Sequence, residues 1–129
     1  MLTLAVYHRG PDVEQHIAPL RPNHGLRLEL IRKGTTWSTP AKDVTGVLWE
    51  LAPEDGSQRL VAALIGGLPA ASYSASDQPG LAELSKSLGF RAHLMTPLKL
   101  EAVERALGLS GVIDLADRID AAAPNVLHV

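Results

Sequence analysis

The sequence predicts an α/β domain, a parallel sheet with helices on both faces. Three observations carry this. Short apolar runs alternate with helix-period patterns along the chain, as repeated strand–helix crossovers require. One run, 44–51, shows almost no polar alternation, as expected of a strand covered on both faces. The 11 glycines and 9 prolines fall mostly between the runs and mark short connections.

Each element has its own signal. Leu2, Leu4 and Val6 alternate over 2–8, and Arg9-Gly10-Pro11 ends that strand. Val13, Ile17 and Leu20 then form one helical stripe after Pro11-Asp12, a start signal, while Pro19 and Pro22 should shorten the helix. Residues 26–31 are a period-two strand closed by Lys33-Gly34, and 35–43 give no clear pattern. The buried strand 44–51 carries one charge, Glu50, and 52–56 is a turn. A helix is expected over 57–68, a small-residue strand over 70–74 and a helix over 79–88 closed by Gly89. A strand comes next at 90–95, then a last clear helix at 99–109, with Leu100, Val103, Ala106 and Leu107 inward and Lys99, Glu101, Glu104 and Arg105 outward. Five strands and about five helices in this alternation fit the flavodoxin-like, doubly wound order 2-1-3-4-5. Ligands and signals in such folds meet the carboxyl ends of the strands. The residues to inspect are therefore 7–9, 49–53, 72–76 and 93–97.

Composition narrows the function by exclusion. The chain has 129 residues, 46% of them hydrophobic and 20% charged, which suits one ordinary core. No apolar run approaches the roughly 20 residues of a membrane span. The first residues carry neither a basic n-region nor a cleavage site, so no signal peptide is expected. The absence of cysteine excludes disulfides and a cysteine nucleophile, and agrees with a cytoplasmic protein. Twelve basic and 14 acidic residues give a net charge of −2, with no basic helix to hold nucleic acid.

Several segments, taken together, resemble a response-regulator receiver domain over roughly residues 2–109. Val47-Leu-Trp-Glu-Leu-Ala-Pro-Glu-Asp-Gly56 is similar to the family's third strand and the loop after it. Pro69-Ala-Ala-Ser-Tyr-Ser-Ala75 is similar to the fourth strand, which ends in Thr or Ser followed by Ala. The segment 81–97, ending Phe90-Arg-Ala-His-Leu-Met-Thr-Pro97, is similar to the family's helix–Gly–strand segment that closes on Lys-Pro. The resemblance implies the flavodoxin-like fold and a place in two-component signal transduction.

The departures from the family pattern decide the chemistry. Glu50 stands where the resemblance places the phospho-accepting Asp. Tyr7-His8-Arg9 stand where the metal-binding acidic pair belongs, and Thr96 replaces the essential Lys before Pro97. The hydroxyl position survives as Ser74, and the aromatic switch position is His93. Phosphoryl transfer needs a nucleophile in reach, a metal to offset charge and a cation on the transferred oxygens. Glu50 is longer than Asp by about 1.5 Å, Mg²⁺ would find no carboxylate at 7–9, and Thr96 brings no charge. The expectation is a pseudo-receiver without metal or cofactor, with His8 or Arg9 as the cation beside Glu50, weighed against a solvated Arg9. The alternative is a phosphorylatable receiver with an unusual acceptor site. His93 reads either as a titratable switch or as a half-buried histidine bonded to backbone. Thr96-Pro97 is expected to keep the family's cis peptide.

An enzyme is not expected. The five histidines lack ligand spacing, and Arg9-Gly10-Pro11-Asp12 is not a phosphate loop. What remains is protein–protein recognition. The resemblance implies a face built from the family's fourth helix, fifth strand and fifth helix. Here Ser85, Lys86, Arg91 and Lys99 would make it slightly basic, suited to a protein partner with acidic spots.

The chain divides into a receiver-like domain, 1–110, and a C-terminal amphipathic helix and tail, 111–129. Val112, Leu115, Ala116 and Ile119 fall at i, i+3, i+4 and i+7, with Asp114, Asp117, Arg118 and Asp120 opposite. This stripe needs cover, either from its own domain, from a second copy in a homodimer, or from a domain outside the chain.

Overall fold

A computed structural model describes residues 2–23, 25–32, 43–53, 67–76 and 78–109. Its elements are β1 (Leu2–His8), α1 (Val13–Ile17), a 3-10 turn (Ala18–Leu20), β2 (Leu26–Arg32), β3 (Gly46–Glu50), β4 (Ala70–Ser74), α2 (Leu81–Ser87), β5 (His93–Met95) and α3 (Leu100–Leu107). The five strands form one sheet in the order β2-β1-β3-β4-β5, and every pairing is parallel. This is the flavodoxin-like fold the sequence predicts. Residues 57–66 of the expected helix over 57–68, and the tail 111–129, lie outside the described residues.

Period-two alternation sorts the sheet into two cores. Leu4, Val6, Leu48, Ala71 and Tyr73 point to one face, where Val13, Ile17 and Leu20 of the first helical segment and Val103 and Leu107 of α3 cover them. Ala5, Tyr7, Val47, Trp49 and Ala70 point to the other, with Leu81 of α2 and Phe90. Described helices thus lie on both faces. Trp49 is fully buried. It stacks on Tyr7 with ring centroids 4.8 Å apart and tilts over Phe90 at 6.4 Å. Each such ring contributes about 1.5–3 kcal/mol by leaving water.

Local chemistry sets the ends of the elements. Pro19 lacks an N–H, so α1 gives way after Ile17 to a 3-10 turn. Gly80, at φ +88°, turns the chain into α2, which therefore begins at Leu81 rather than at Pro79. β5 is shorter than the expected 90–95 because the Phe90 N–H is used on the Ser85 carbonyl. Arg91 N–H and Ala92 C=O still bond β4, donating to Ala70 and accepting from Ser72. Gly108, at φ +71°, ends α3.

The structure corrects two burial expectations. Glu104 is buried, not outward. The packed face of α3 runs through Leu100, Val103, Glu104 and Leu107, which is i, i+3, i+4, i+7, and charge alone does not remove a residue from that face. Ser85 is buried under α2 instead of lying on a partner face.

Candidate functional site

The carboxyl ends of β1, β3 and β4 open into a cavity of about 140 Å³, lined by Arg9, Glu50, Ser74, Ser76, Gln78 and Leu81 among others. Parallel pairing of β1 with β3 and β3 with β4 brings Arg9, Glu50 and Ser74 together here. Glu50 Oε1 accepts the Arg9 backbone N–H at 2.9 Å. The peptide of Arg9 therefore provides one donor to the carboxylate. The His8 Nδ1–H donates to the Gly10 carbonyl at 3.2 Å. Among the described residues no three His, Asp or Glu side chains gather as metal ligands.

The hydroxyl of Ser74 is committed elsewhere. It donates to the Ser76 carbonyl at 2.9 Å and lies 3.0 Å from His93 Nε2. The other ring nitrogen, Nδ1, lies 2.7 Å from the Ser72 hydroxyl, which in turn is 2.6 Å from the Ser85 hydroxyl. With the Ser74 proton given to Ser76, its Oγ accepts from Nε2–H. A neutral imidazole then accepts at Nδ1 from Ser72, and Ser72 accepts from Ser85. All four groups are satisfied at once.

His93 is thus half-buried and held by two serine side chains, not by backbone alone. Sequence reasoning did not connect Ser72 or Ser85 to His93. The signal for Ser72 was available, because it lies two residues before Ser74 and so on the same face of β4. Ser85 had none, because the contact depends on how α2 lies across the sheet.

Thr96 and Pro97 lie apart from the Glu50 cavity. The Thr96–Pro97 peptide is cis, as expected. The Thr96 N–H donates to the Ser74 carbonyl at 3.1 Å. Both residues line a separate cavity of about 330 Å³ with Leu94, Met95, Lys99 and Ala102. It adjoins another of about 340 Å³, lined by Arg91, Ala92, Leu94, Ala102, Arg105 and Ala106. Leu94 and Ala102 are common to the two, so together they form one groove between β5 and α3. Arg91, Lys99 and Lys86 are exposed, and Met95 is 43% exposed.

Burial of Tyr7 pushes its phenol up to about 12, with the Glu29 charge adding to the effect. Tyr73 is pushed up as well, by burial first and by the Glu50 charge second. Its hydroxyl donates to the Tyr7 carbonyl at 3.4 Å.

The domain is of the flavodoxin-like class, with a crevice holding one carboxylate under a peptide N–H and a serine tied to a histidine. No family model matches the chain, and no curated protein matches it in sequence. Solved structures share its fold. A CpaE2 pilus assembly protein of Sinorhizobium meliloti matches with a TM-score of 0.54 and 13% identity, over 84% of this chain and 98% of that one. The pilus assembly protein CpaE of Caulobacter crescentus matches with a TM-score of 0.50 and 19% identity, over the same shares of the two chains. The likeness is one of fold. No helix among the described residues is long and apolar enough to cross a membrane.

Proposed function

We propose that this chain is a phosphorylation-independent adaptor, a degenerate receiver that acts by protein–protein contact and not as an enzyme. One observation carries the reading. The Ser74 hydroxyl, which a working receiver would release toward a phosphoryl group, is held between the Ser76 carbonyl and His93. Moving it would break both of these hydrogen bonds, a cost of about 1–3 kcal/mol. The rest of the crevice agrees. Glu50 faces a peptide N–H in the position where a receiver holds its metal, and Thr96 brings no cation.

Recognition on this reading uses the exposed face around β5, with Lys86, Arg91 and Lys99 offering positive charge beside the exposed Met95. Ser85 belongs to the interior and drops out. The structural neighbours are named as pilus assembly proteins, and an adaptor role in an assembly of that kind is the setting we propose, in the cytoplasm.

Incubation with acetyl phosphate or a phosphoramidate plus Mg²⁺, followed by intact mass measurement, tests the first half. No mass gain is expected. A phosphoryl gain that disappears in Glu50→Gln would overturn the reading in favour of a receiver with an unusual acceptor.

A further inference from the structure

The sheet ends in two unlike edges, β2 and β5. β5 is three residues long and runs into Thr96-Pro97, a short edge closed by proline, which resists further pairing. β2 is seven residues long and contains neither proline nor glycine. Among the described residues it pairs only with β1. The register shows which of its backbone groups point outward. The Leu2 N–H donates to the Gly25 carbonyl at 2.9 Å, one residue before its register partner Leu26. Alternation along a parallel ladder then commits the N–H and C=O groups of Arg27, Glu29 and Ile31 to β1 and turns those of Leu28 and Leu30 outward. The Leu26 N–H is taken by the Asn23 carbonyl at 3.1 Å, and its own carbonyl faces outward.

The side chains of this edge complement themselves. Leu26, Leu28 and Leu30 lie on one face of the sheet and pack on the core of Leu4 and Val6. Arg27 and Glu29 lie on the other face, Arg27 exposed and Glu29 half-buried. Leu28 and Leu30 are also only half-buried. Charges on an edge strand ordinarily discourage pairing with a foreign strand. Two opposite charges spaced two residues apart instead match an antiparallel copy of the same strand.

We propose that β2 is a homodimer seam, where two copies of this chain pair their β2 strands antiparallel with Leu28 on the two-fold axis. Two five-stranded sheets then join edge to edge. An axis perpendicular to the sheet keeps each face continuous across the seam and makes the contact isologous. Outward backbone groups must meet outward groups, so the axis passes through a residue position. Centred on Arg27 or on Glu29, the pairing sets a charge against its own copy. Centred on Leu30, it sets Arg32 against Leu28 and Glu29 against Ile31. Centred on Leu28, it sets Leu28 against Leu28, Leu26 against Leu30 and Arg27 against Glu29, the last pair occurring twice. The Arg27–Glu29 pairs then fall at the non-hydrogen-bonded positions, where facing side chains stand closest. The proposal goes beyond the adaptor reading and does not depend on it.

Sedimentation velocity on the full chain tests the seam. The mass of the native protein should rise from one chain toward two between micromolar concentrations and about 1 mM. Arg27→Glu sets glutamates face to face and Glu29→Arg sets arginines face to face. Each should weaken dimerisation by about tenfold or more. An equimolar mixture of the two variants puts the glutamates of one chain against the arginines of the other and should restore the two-chain mass. Far-ultraviolet circular dichroism verifies the fold of each variant. Hydrogen exchange needs no variant: the Leu28 and Leu30 amides of the native chain should exchange more slowly at the higher concentration. A one-chain mass for the native protein throughout would overturn the proposal. Dimers undiminished in both variants would overturn it by placing the contact elsewhere. A mixture of folded variants that stays single-chain would also overturn it, as would Leu28 and Leu30 exchange that ignores concentration.

Discussion

His93 Nε2 lies 3.0 Å from the Ser74 hydroxyl, across the pairing of β4 with β5. With Nδ1 on Ser72 at 2.7 Å, the ring ties two hydroxyls on one strand to its neighbour. The two edges of the imidazole do different work: one holds the crevice hydroxyl, the other reaches the buried Ser72–Ser85 pair.

That arrangement predicts the effect of removing the ring. His93→Phe leaves Ser72 and Ser74 each short of a partner and should cost about 2 kcal/mol. Ser72→Ala should cost less in the His93→Phe background than in the native chain, because the shared bond is already gone. Urea unfolding of the four proteins in the cycle measures the coupling, and additive costs would mean the bond contributes nothing.

Gly46 predicts a packing effect. A Cβ there would stand 3.0 Å from Leu4 Cδ2 and 3.1 Å from Leu107 Cδ1. Gly46→Ala must push two buried leucines apart and should lower stability by about 1–2 kcal/mol. Leu107→Val should make room, so the double variant should be more stable than the two separate costs add up to.

Alkali should unfold the domain in a way its tyrosines report. The chain has two tyrosines, Tyr7 and Tyr73, and both are buried. Tyr7 ionises near pH 10.0 when unfolded and near 12 when folded. The raised value means stability is intact below pH 10 and declines as pH rises toward 12, by about 3 kcal/mol from Tyr7. Tyr73 shifts in the same direction and adds to the loss. Tyrosinate absorbance should therefore appear together with loss of circular dichroism. Ionisation well before unfolding would contradict the buried placement.

His16 offers a stabilising change. Its Nδ1 is buried with no hydrogen-bond partner among the described residues, while the ring packs edge-on to Tyr73 at 5.9 Å. His16→Leu removes the unpaired atom and keeps an apolar body in place. Thermal unfolding should show stability unchanged or higher by up to about 1 kcal/mol.

The sheet was legible in the residues alone. Period-two runs at 2–8 and 26–31, the small-residue run at 70–74, the doubly covered 44–51 and the run at 90–95 placed five strands, and their alternation with helices fitted the order β2-β1-β3-β4-β5. The same pattern brought Arg9, Glu50 and Ser74 to one end of that sheet, because in a parallel fold the strand ends share an edge. The roles of those residues came from three-dimensional packing. Glu50 takes the Arg9 peptide N–H, because the backbone leaving β1 passes its carboxylate. Ser85 and Glu104, both read as surface residues, are buried because helix packing selects a face by geometry and not by residue polarity. Periodicity shows which side of a strand or helix a residue is on. Only the packing of α2 and β5 against β4 could bring Ser85, Ser72, His93 and Ser74 within bonding distance.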